Sequence, residues 1–300
     1  MFKILSIDGG GIKGIFPAHI LKRIQECFDI NLLEHFDMIA GTSTGSIIAA
    51  GIACKKTPDQ VVELYQQYGA KIFSQKKKSF WPYVFKSTYE NTYLKTMLSE
   101  EFGTITLGDI KKPLIIPTTD VGHGGVHVFK SAYSPDFIRD GKVFIKDAVL
   151  ASCSAPTFFD PTTVGNYLLA DGGLWANNPA LVAVIEAKHR LRIDAKEIRI
   201  LSLGTGESRN AYGMKESKKW GFVTGWKGRE FVELILSLQS QSTQNYTKLM
   251  LGDKLLRLNF ETDKPFPLDD VSIFDDLISR ADRVFSEKSK KIEKFLNNSG

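Results

Sequence analysis

The sequence predicts one three-layer α/β/α domain spanning residues 1–300, with a mainly parallel central sheet. Three observations predict it. Short apolar runs rich in β-formers alternate with stretches whose apolar residues recur at helical spacing. A strand–glycine turn–helix unit occurs twice within the first 54 residues. No internal repeat or low-complexity linker interrupts the alternation, which is how strands crossed over by helices read in sequence.

The first run, Phe2 to Ile7, reads as a strand that Asp8-Gly9-Gly10-Gly11 terminates. From Gly14 to about Phe28, Ile15, Ile20, Leu21, Ile24 and Phe28 fall at helical spacing. A second strand over Phe36–Ala40 then meets Gly41-Thr42-Ser43-Thr44-Gly45 and a helix of small apolar residues to Cys54. Thr57-Pro58-Asp59 opens a helix reaching about Ala70, with proline just inside the start. Lys76–Lys86 is basic, aromatic and broken by Pro82, so it reads as a loop, and a helix follows from Asn91 to Glu101. Further strands are expected over Pro113–Thr119, Val126–Lys130, Tyr167–Ala170, Ile198–Leu203 and Leu255–Phe260. Helices are expected over Lys146–Ser152 and Pro179–Leu191, along an amphipathic run from Phe231 to Leu249, and over Arg283–Asn297.

Hydrophobic content of 43% and charged content of 24% leave room for a sizeable core. No stretch approaches the roughly 18 apolar residues of a spanning helix. The longest, Ser46–Cys54, is half that and contains Gly51, so any membrane contact is expected from the side. The N-terminus lacks a signal-peptide pattern. Cys27, Cys54 and Cys153 are an odd number without metal-like spacing, which fits a reducing cytoplasm and no metal cofactor. A net charge of +5 suits an anionic lipid surface or nucleic acid and selects neither.

Three motifs carry chemistry. Gly41-x-Ser43-x-Gly45 lies between a strand and a helix, the setting of a nucleophile elbow. A side chain at either glycine would crowd a turn tight enough to expose the serine hydroxyl, though such a pentapeptide can also simply start a helix. Gly9-x-Gly11-x-x-Gly14 invites a dinucleotide reading, but Asp29 and Asp37 are poorly placed for the ribose, and no Gly-Lys-Ser/Thr makes a P-loop. In a hydrolase the same glycines can converge backbone N–H groups on an oxyanion, with Lys13 adding charge beside them. Asp171-Gly172-Gly173 ends a strand, where an isolated aspartate is ordinarily a turn residue. Each of the three stands at a strand end, in chain order.

Together these blocks resemble those of the patatin-like phospholipases, lipid acyl hydrolases that use a Ser–Asp dyad. They stand here as Asp8-Gly-Gly-Gly-Ile-Lys-Gly14, Gly41-Thr-Ser-Thr-Gly45 and Asp171-Gly-Gly173. Ala151–Phe159, Asn177-Asn-Pro179 and Leu201–Gly206 add weaker similarity. The resemblance covers residues 1–206; residues 207–300 are less diagnostic, and Lys13 stands where the family more often has arginine. The resemblance implies that Ser43 attacks a phospholipid ester carbonyl and that Asp171 takes its proton. It further implies that the oxyanion lies among Gly9, Gly10, Gly11 and Thr44. Compact bacterial members include effectors of anti-phage defence switched on by a cyclic nucleotide, so such an activator is an expected partner; a nucleic acid polymer is not.

Two rival nucleophile systems are less well placed. His189 follows Asp171 in the order of a Ser–Asp–His triad, but between Lys188 and Arg190 it fits a solvated helix face. His123 and His127 flank a Gly-Gly turn and belong to a hairpin, and Cys153 reads as a buried small hydrophobe. Trp81, Trp220 and Trp226 lie in the two basic aromatic stretches, Lys76–Lys86 and Lys215–Arg229. They are expected either to contact the membrane interface or to tuck an aromatic ring into the core. The resulting expectation is a peripheral lipid acyl hydrolase at the cytoplasmic face of the membrane. A soluble esterase or thioesterase with the same dyad, or a nucleotide-binding module built on Gly9–Gly14, is the alternative.

Overall fold

A computed structural model of the chain describes residues 1–74, 87–208, 220–221, 224–263 and 266–297. Its first strand, β1 (Phe2–Ile7), leads through a 3-10 turn over Gly11–Gly14 into α1 (Ile15–Phe28). Asp29 ends that helix in the left-handed conformation. A single turn, α2 (Leu32–His35), follows because the Asn31 side chain accepts hydrogen bonds from the N–H groups of Leu33 and Glu34. β2 (Met38–Gly41) is wholly buried, as is α3 (Thr44–Ala53), which explains why the latter is built of small and branched apolar residues on every side.

The chain continues through α4 (Pro58–Ser74), α5 (Thr92–Phe102) and the hairpin of β3 (Leu114–Asp120) with β4 (Gly125–Lys130). Next come α6 (Ile145–Ser152), β5 (Thr162–Val164), β6 (Tyr167–Asp171), α7 (Gly173–Ala176) and α8 (Ala180–His189). β7 (Ile198–Leu203), β8 (Glu207–Ser208), α9 (Arg229–Leu251), β9 (Leu255–Leu258), β10 (Glu261–Thr262) and α10 (Phe274–Asn297) complete it. The sequence missed the shortest of these, α2, α7, β5, β8 and β10, because two to four residues show no periodicity. It also placed the start of α10 nine residues late. Asp275 and Asp276 look like loop residues, yet they occupy the first helical turn, where acidic side chains oppose the helix dipole.

Among the described residues, eight strands form the main sheet in the order β5-β6-β3-β2-β1-β7-β9, with β4 also paired to β3. β1, β2, β3, β7 and β9 are parallel to their neighbours in that run, whereas β4 and β6 run antiparallel to β3. Alternation along β1 sorts the two cores. Leu5 and Ile7 face the larger one, with α1, α3, α4, α5, α6 and α10, while Ile4 faces a smaller one with α8 and the end of α9. These are the three expected layers. Among the described residues, no helix is long and apolar enough to cross a membrane.

Candidate active site

Ser43 occupies a left-handed backbone conformation, φ 52° and ψ −126°, between β2 and α3. A non-glycine residue there is strained, and the surroundings enforce it. A Cβ at Gly41 would lie 2.2 Å from the Gly45 carbonyl oxygen, and one at Gly45 would lie 2.4 Å from that of Ile7. Both contacts are with backbone, which cannot give way. The Ser43 N–H donates to Ser152 Oγ at 2.9 Å, and Ser152 in turn donates to the Pro117 carbonyl at 2.7 Å. α6 and β3 thereby hold the turn from the side.

Asp171 reaches the serine by an unexpected route. Ser43 and Asp8 follow parallel strands, but β6 is antiparallel, so Asp171 is not at the same end of its strand relative to the sheet. β3 overshoots β2, pairing Leu114 and Ile115 with Ile39 and Ala40, and β6 pairs only with its overhang, Asp171 opposite Thr118. This register brings the carboxylate level with Ser43. The carboxyl is buried and Oδ1 accepts from the Gly173 N–H at 2.7 Å. Burial pushes its pKa from 3.8 up to about 7, while the adjacent Ser43 hydroxyl and the Gly173 N–H work the other way.

The N–H groups of the glycine loop, expected to meet an oxyanion, are not equivalent. Gly9 is committed elsewhere, contrary to expectation: its N–H donates to the Asn177 carbonyl at 3.0 Å. Its carbonyl accepts from the Thr205 hydroxyl at 2.6 Å, so Gly9 is anchored on both sides. Ile12 and Lys13 spend their N–H groups on Leu268 and Gly10. The Gly10 and Gly11 N–H groups have no acceptor among the described residues, and both glycines line the same pocket as Ser43 and Asp171. Here glycine is required sterically, since a Cβ at Gly10 would lie 2.3 Å from Thr205 Oγ1 and one at Gly11 2.3 Å from the Leu268 carbonyl. Thr44 lies in the first turn of α3, where its N–H needs no helical partner, and its hydroxyl pairs with that of Tyr65.

Lys13 departs from the expectation as well. It faces away from the pocket into a separate polar cavity of about 430 Å³ shared with Glu207, Glu230 and Glu233. Burial lowers its pKa, and Glu233 partly offsets that. Gly14, Gly41, Gly45, Gly172 and Gly173 serve as space. A Cβ at Gly172 would strike the Pro117 carbonyl at 2.2 Å, and one at Gly14 the Thr44 and Tyr65 hydroxyls at 2.4 Å.

Away from its polar end the pocket is apolar, walled by Ile47, Leu64, Ile72, Phe73, Met97 and Phe159. All five histidines are described and none lines it. His189 is exposed at the end of α8, His19 and His123 pair with Asp282 and Asp120, His35 meets Lys3, and His127 is buried against Phe129 and Tyr167. Cys153 does line the pocket, but burial and the Asp171 carboxylate raise its thiol pKa, which keeps it protonated. Trp81 lies outside the described residues. Trp220 and Trp226 are 51% and 36% exposed with ring centroids 5.0 Å apart, and Trp226 packs on Phe231 at the start of α9.

Comparison with known proteins bears on the same residues. A family model described as patatin-like phospholipase matches residues 5–184, which span all three motifs. A cUMP-AMP-activated phospholipase of Escherichia coli is 32% identical over 269 residues, covering 84% of this chain and 78% of that protein. A cGAMP-activated phospholipase of Pseudomonas aeruginosa is 29% identical over 265 residues, covering 86% and 78%. Among solved structures, VipD from Legionella pneumophila superposes with a TM-score of 0.52 at 13% identity, over 98% of this chain and 67% of that one. That likeness concerns the fold.

Proposed function

Because the chain belongs to the patatin-like phospholipase family, a family of lipid-hydrolysing enzymes, we propose that it is a phospholipase A-type acyl hydrolase working through Ser43 and Asp171. One observation carries this reading: Ser43, Asp171 and the uncommitted N–H groups of Gly10 and Gly11 open on one apolar pocket. In the first step Ser43 Oγ attacks the ester carbonyl and Asp171 accepts the hydroxyl proton. The oxyanion forms against the Gly10, Gly11 and Thr44 N–H groups at the N-terminus of α3. Asp171 then protonates the departing lysolipid oxygen, leaving the acyl group on Ser43. Water, deprotonated by Asp171, attacks the acyl-enzyme, and the proton returns to Ser43 as the fatty acid leaves.

A lone carboxylate at its ordinary pKa is a poor base for a serine hydroxyl. Burial of Asp171 narrows that gap, since a base near pKa 7 is matched to neutral pH. The apolar wall accommodates an acyl chain and gives a charged or polar acyl donor no partner. The relatives named for cGAMP and cUMP-AMP activation support a further element of the reading, that a cyclic nucleotide switches this chain on. We place it at the cytoplasmic face of the membrane, with Trp220 and Trp226 meeting the headgroup region.

The test compares fatty-acid release from phospholipid vesicles and from a soluble short-chain ester, with and without cyclic dinucleotide. Vesicle hydrolysis that exceeds ester hydrolysis and vanishes in Ser43→Ala supports the phospholipase. Preference for the dispersed ester would make it a soluble esterase or thioesterase. Nucleotide binding in a chain that hydrolyses neither would return the glycine loop to a binding role.

A further inference from the structure

The open edge of the main sheet is a second built feature. β9 is its last strand, and between β9, the end of α9 and the last turns of α10 runs a groove of about 440 Å³. Lys288, Lys291 and Lys294 line it from α10, Lys248 from α9 and Arg257 from β9. Spacing of three residues puts the α10 lysines on one side of the helix. Among the described residues Asp253 is the one carboxylate in the lining, and Lys248 already holds it at 3.2 Å. Among the described residues, no carboxylate lies within 4.0 Å of Lys288, Lys291 or Lys294. The groove therefore concentrates unneutralised positive charge around Leu256, with Leu255 and Phe295 nearly buried beneath and the Arg199 guanidinium 5.8 Å from the Phe295 ring. Apolar centre and cationic rim together suit an anion with a flat organic body.

Arg257 connects this groove to the glycine loop. Its Nη1 and Nη2 donate to both oxygens of Asp8, at 2.8 and 2.6 Å, and Nη1 also reaches Ser202 at 2.8 Å. Its Nε is buried without an acceptor among the described residues. Asp8 immediately precedes Gly9, Gly10 and Gly11. One guanidinium thus lines the groove and anchors the start of the loop whose N–H groups face the pocket.

We propose that this groove binds a small nucleotide bearing two phosphodiesters, and that Arg257 links its occupancy to the geometry of the Asp8–Gly14 loop. The proposal rests on the reading that a nucleotide switches the enzyme and assigns that switch a site. Phosphates facing the α10 lysines neutralise them, and a base over Leu256 meets the Arg199 guanidinium beside it. Anion binding beside Arg257 changes the field on its pair with Asp8, and linkage makes any effect on the loop reciprocal with affinity. The groove is concave and lies at the sheet edge rather than at the pocket mouth, which favours a small ligand over a membrane surface.

Binding is measured by calorimetry on the Ser43→Ala protein, so that the readout does not depend on hydrolysis. The probes are cGAMP, cUMP-AMP and inorganic phosphate, with sedimentation on phosphatidylglycerol vesicles as a separate arm. We expect a cyclic dinucleotide to bind in preference to phosphate, and Lys288→Glu/Lys291→Glu/Lys294→Glu to weaken it at least tenfold. In the Ser43→Ala background that triple variant retains the melting profile and vesicle sedimentation; with Ser43 restored it keeps basal ester hydrolysis and loses nucleotide stimulation. Unchanged nucleotide affinity in the variant, or no dinucleotide binding to the parent, overturns the proposal. So does loss of vesicle sedimentation alone, which would make the groove a lipid-headgroup site, or self-association alone, which would make the lysines guards of the β9 edge. If Ser43→Ala protein binds at the groove yet the wild-type protein hydrolyses nothing, the lipase reading falls and the site stands. Wild-type protein that hydrolyses lipid but binds no nucleotide sinks the site and the nucleotide switch and leaves the lipase reading standing.

Discussion

Arg257, on the last strand of the sheet, holds both carboxylate oxygens of Asp8, at the end of the first, 249 positions earlier in the chain. The pair is almost wholly buried, the Arg257 side chain being 9% exposed and that of Asp8 2%. Its partners leave little slack, for Arg257 also bonds Ser202 on the intervening strand β7. The residue that fixes the start of the glycine loop therefore comes from the part of the sequence with the weakest family signal.

Removing one partner strands the other. Arg257→Leu is expected to cost about 3–5 kcal/mol in denaturant unfolding, because the Asp8 carboxylate stays buried without its counter-charge. Adding Asp8→Asn to that variant should recover part of the loss. Arg257→Lys keeps the charge but cannot span both oxygens, so ester hydrolysis should fall more than stability does. Equal stability of Arg257→Leu and wild type would show that the pair does not hold the loop.

Ser43→Ala and Asp171→Asn should each lower hydrolysis by at least about 10³-fold, and the double variant should lose no more than the worse single one, because the two act as a unit. His189→Ala should match wild type in both kcat and KM. An active Asp171→Asn with an inactive His189→Ala would replace the dyad by a triad.

The elevated pKa of Asp171 has two consequences of opposite sign. As a base it must be ionised, so kcat/KM should rise about tenfold per pH unit below about 7 and level off above it. Ionisation of a buried carboxyl costs stability, and the folded pKa of about 7 lies above the ordinary 3.8. The penalty is absent below the lower value, grows as pH rises between the two and is complete above the upper. Asp171→Asn should consequently be more stable than wild type at pH 8, by on the order of 2–4 kcal/mol, with the difference vanishing toward pH 4. Thermal unfolding across that range checks the slope, and an activity profile flat from pH 5 to 8 would rule out Asp171 as the base.

The elbow glycines should tolerate no methyl group. Gly45→Ala would set a Cβ 2.4 Å from a backbone oxygen and is expected to cost about 1–3 kcal/mol and most of the activity. Gly141→Ala, where an added Cβ meets nothing within 4 Å, should stay within about 0.5 kcal/mol of wild type. Matched stabilities of the two variants would show that the turn can relax.

Local chemistry was legible in the sequence. Glycines at 41 and 45 around Ser43, between an apolar run and a helix of small residues, can be read as a strained turn because the requirement is steric and lies within five residues. The strands of the parallel half could be read the same way, since a wholly buried strand such as Met38–Gly41 has a near-continuous apolar face. What depends on register or distant partners was not legible. Asp171 was named only through the family resemblance; it meets Ser43 because β6 runs back along the overhang of β3, and a two-residue change in that pairing would move the carboxylate by about 6 Å. Gly9 looked identical to Gly10 and Gly11 until Asn177 and Thr205 took its N–H and carbonyl. Lys13 looked like a site cation until Glu207, Glu230 and Glu233 drew it to the far side of the loop. Arg257 gave no signal at all. The sequence alone determined which backbone could bend to expose a serine and free its neighbours' N–H groups, because those constraints act over a few bonds. How the Asp171 carboxylate reaches that serine, and which charge holds the loop, were decided by the tertiary structure, because burial and strand register exist only once distant segments have packed.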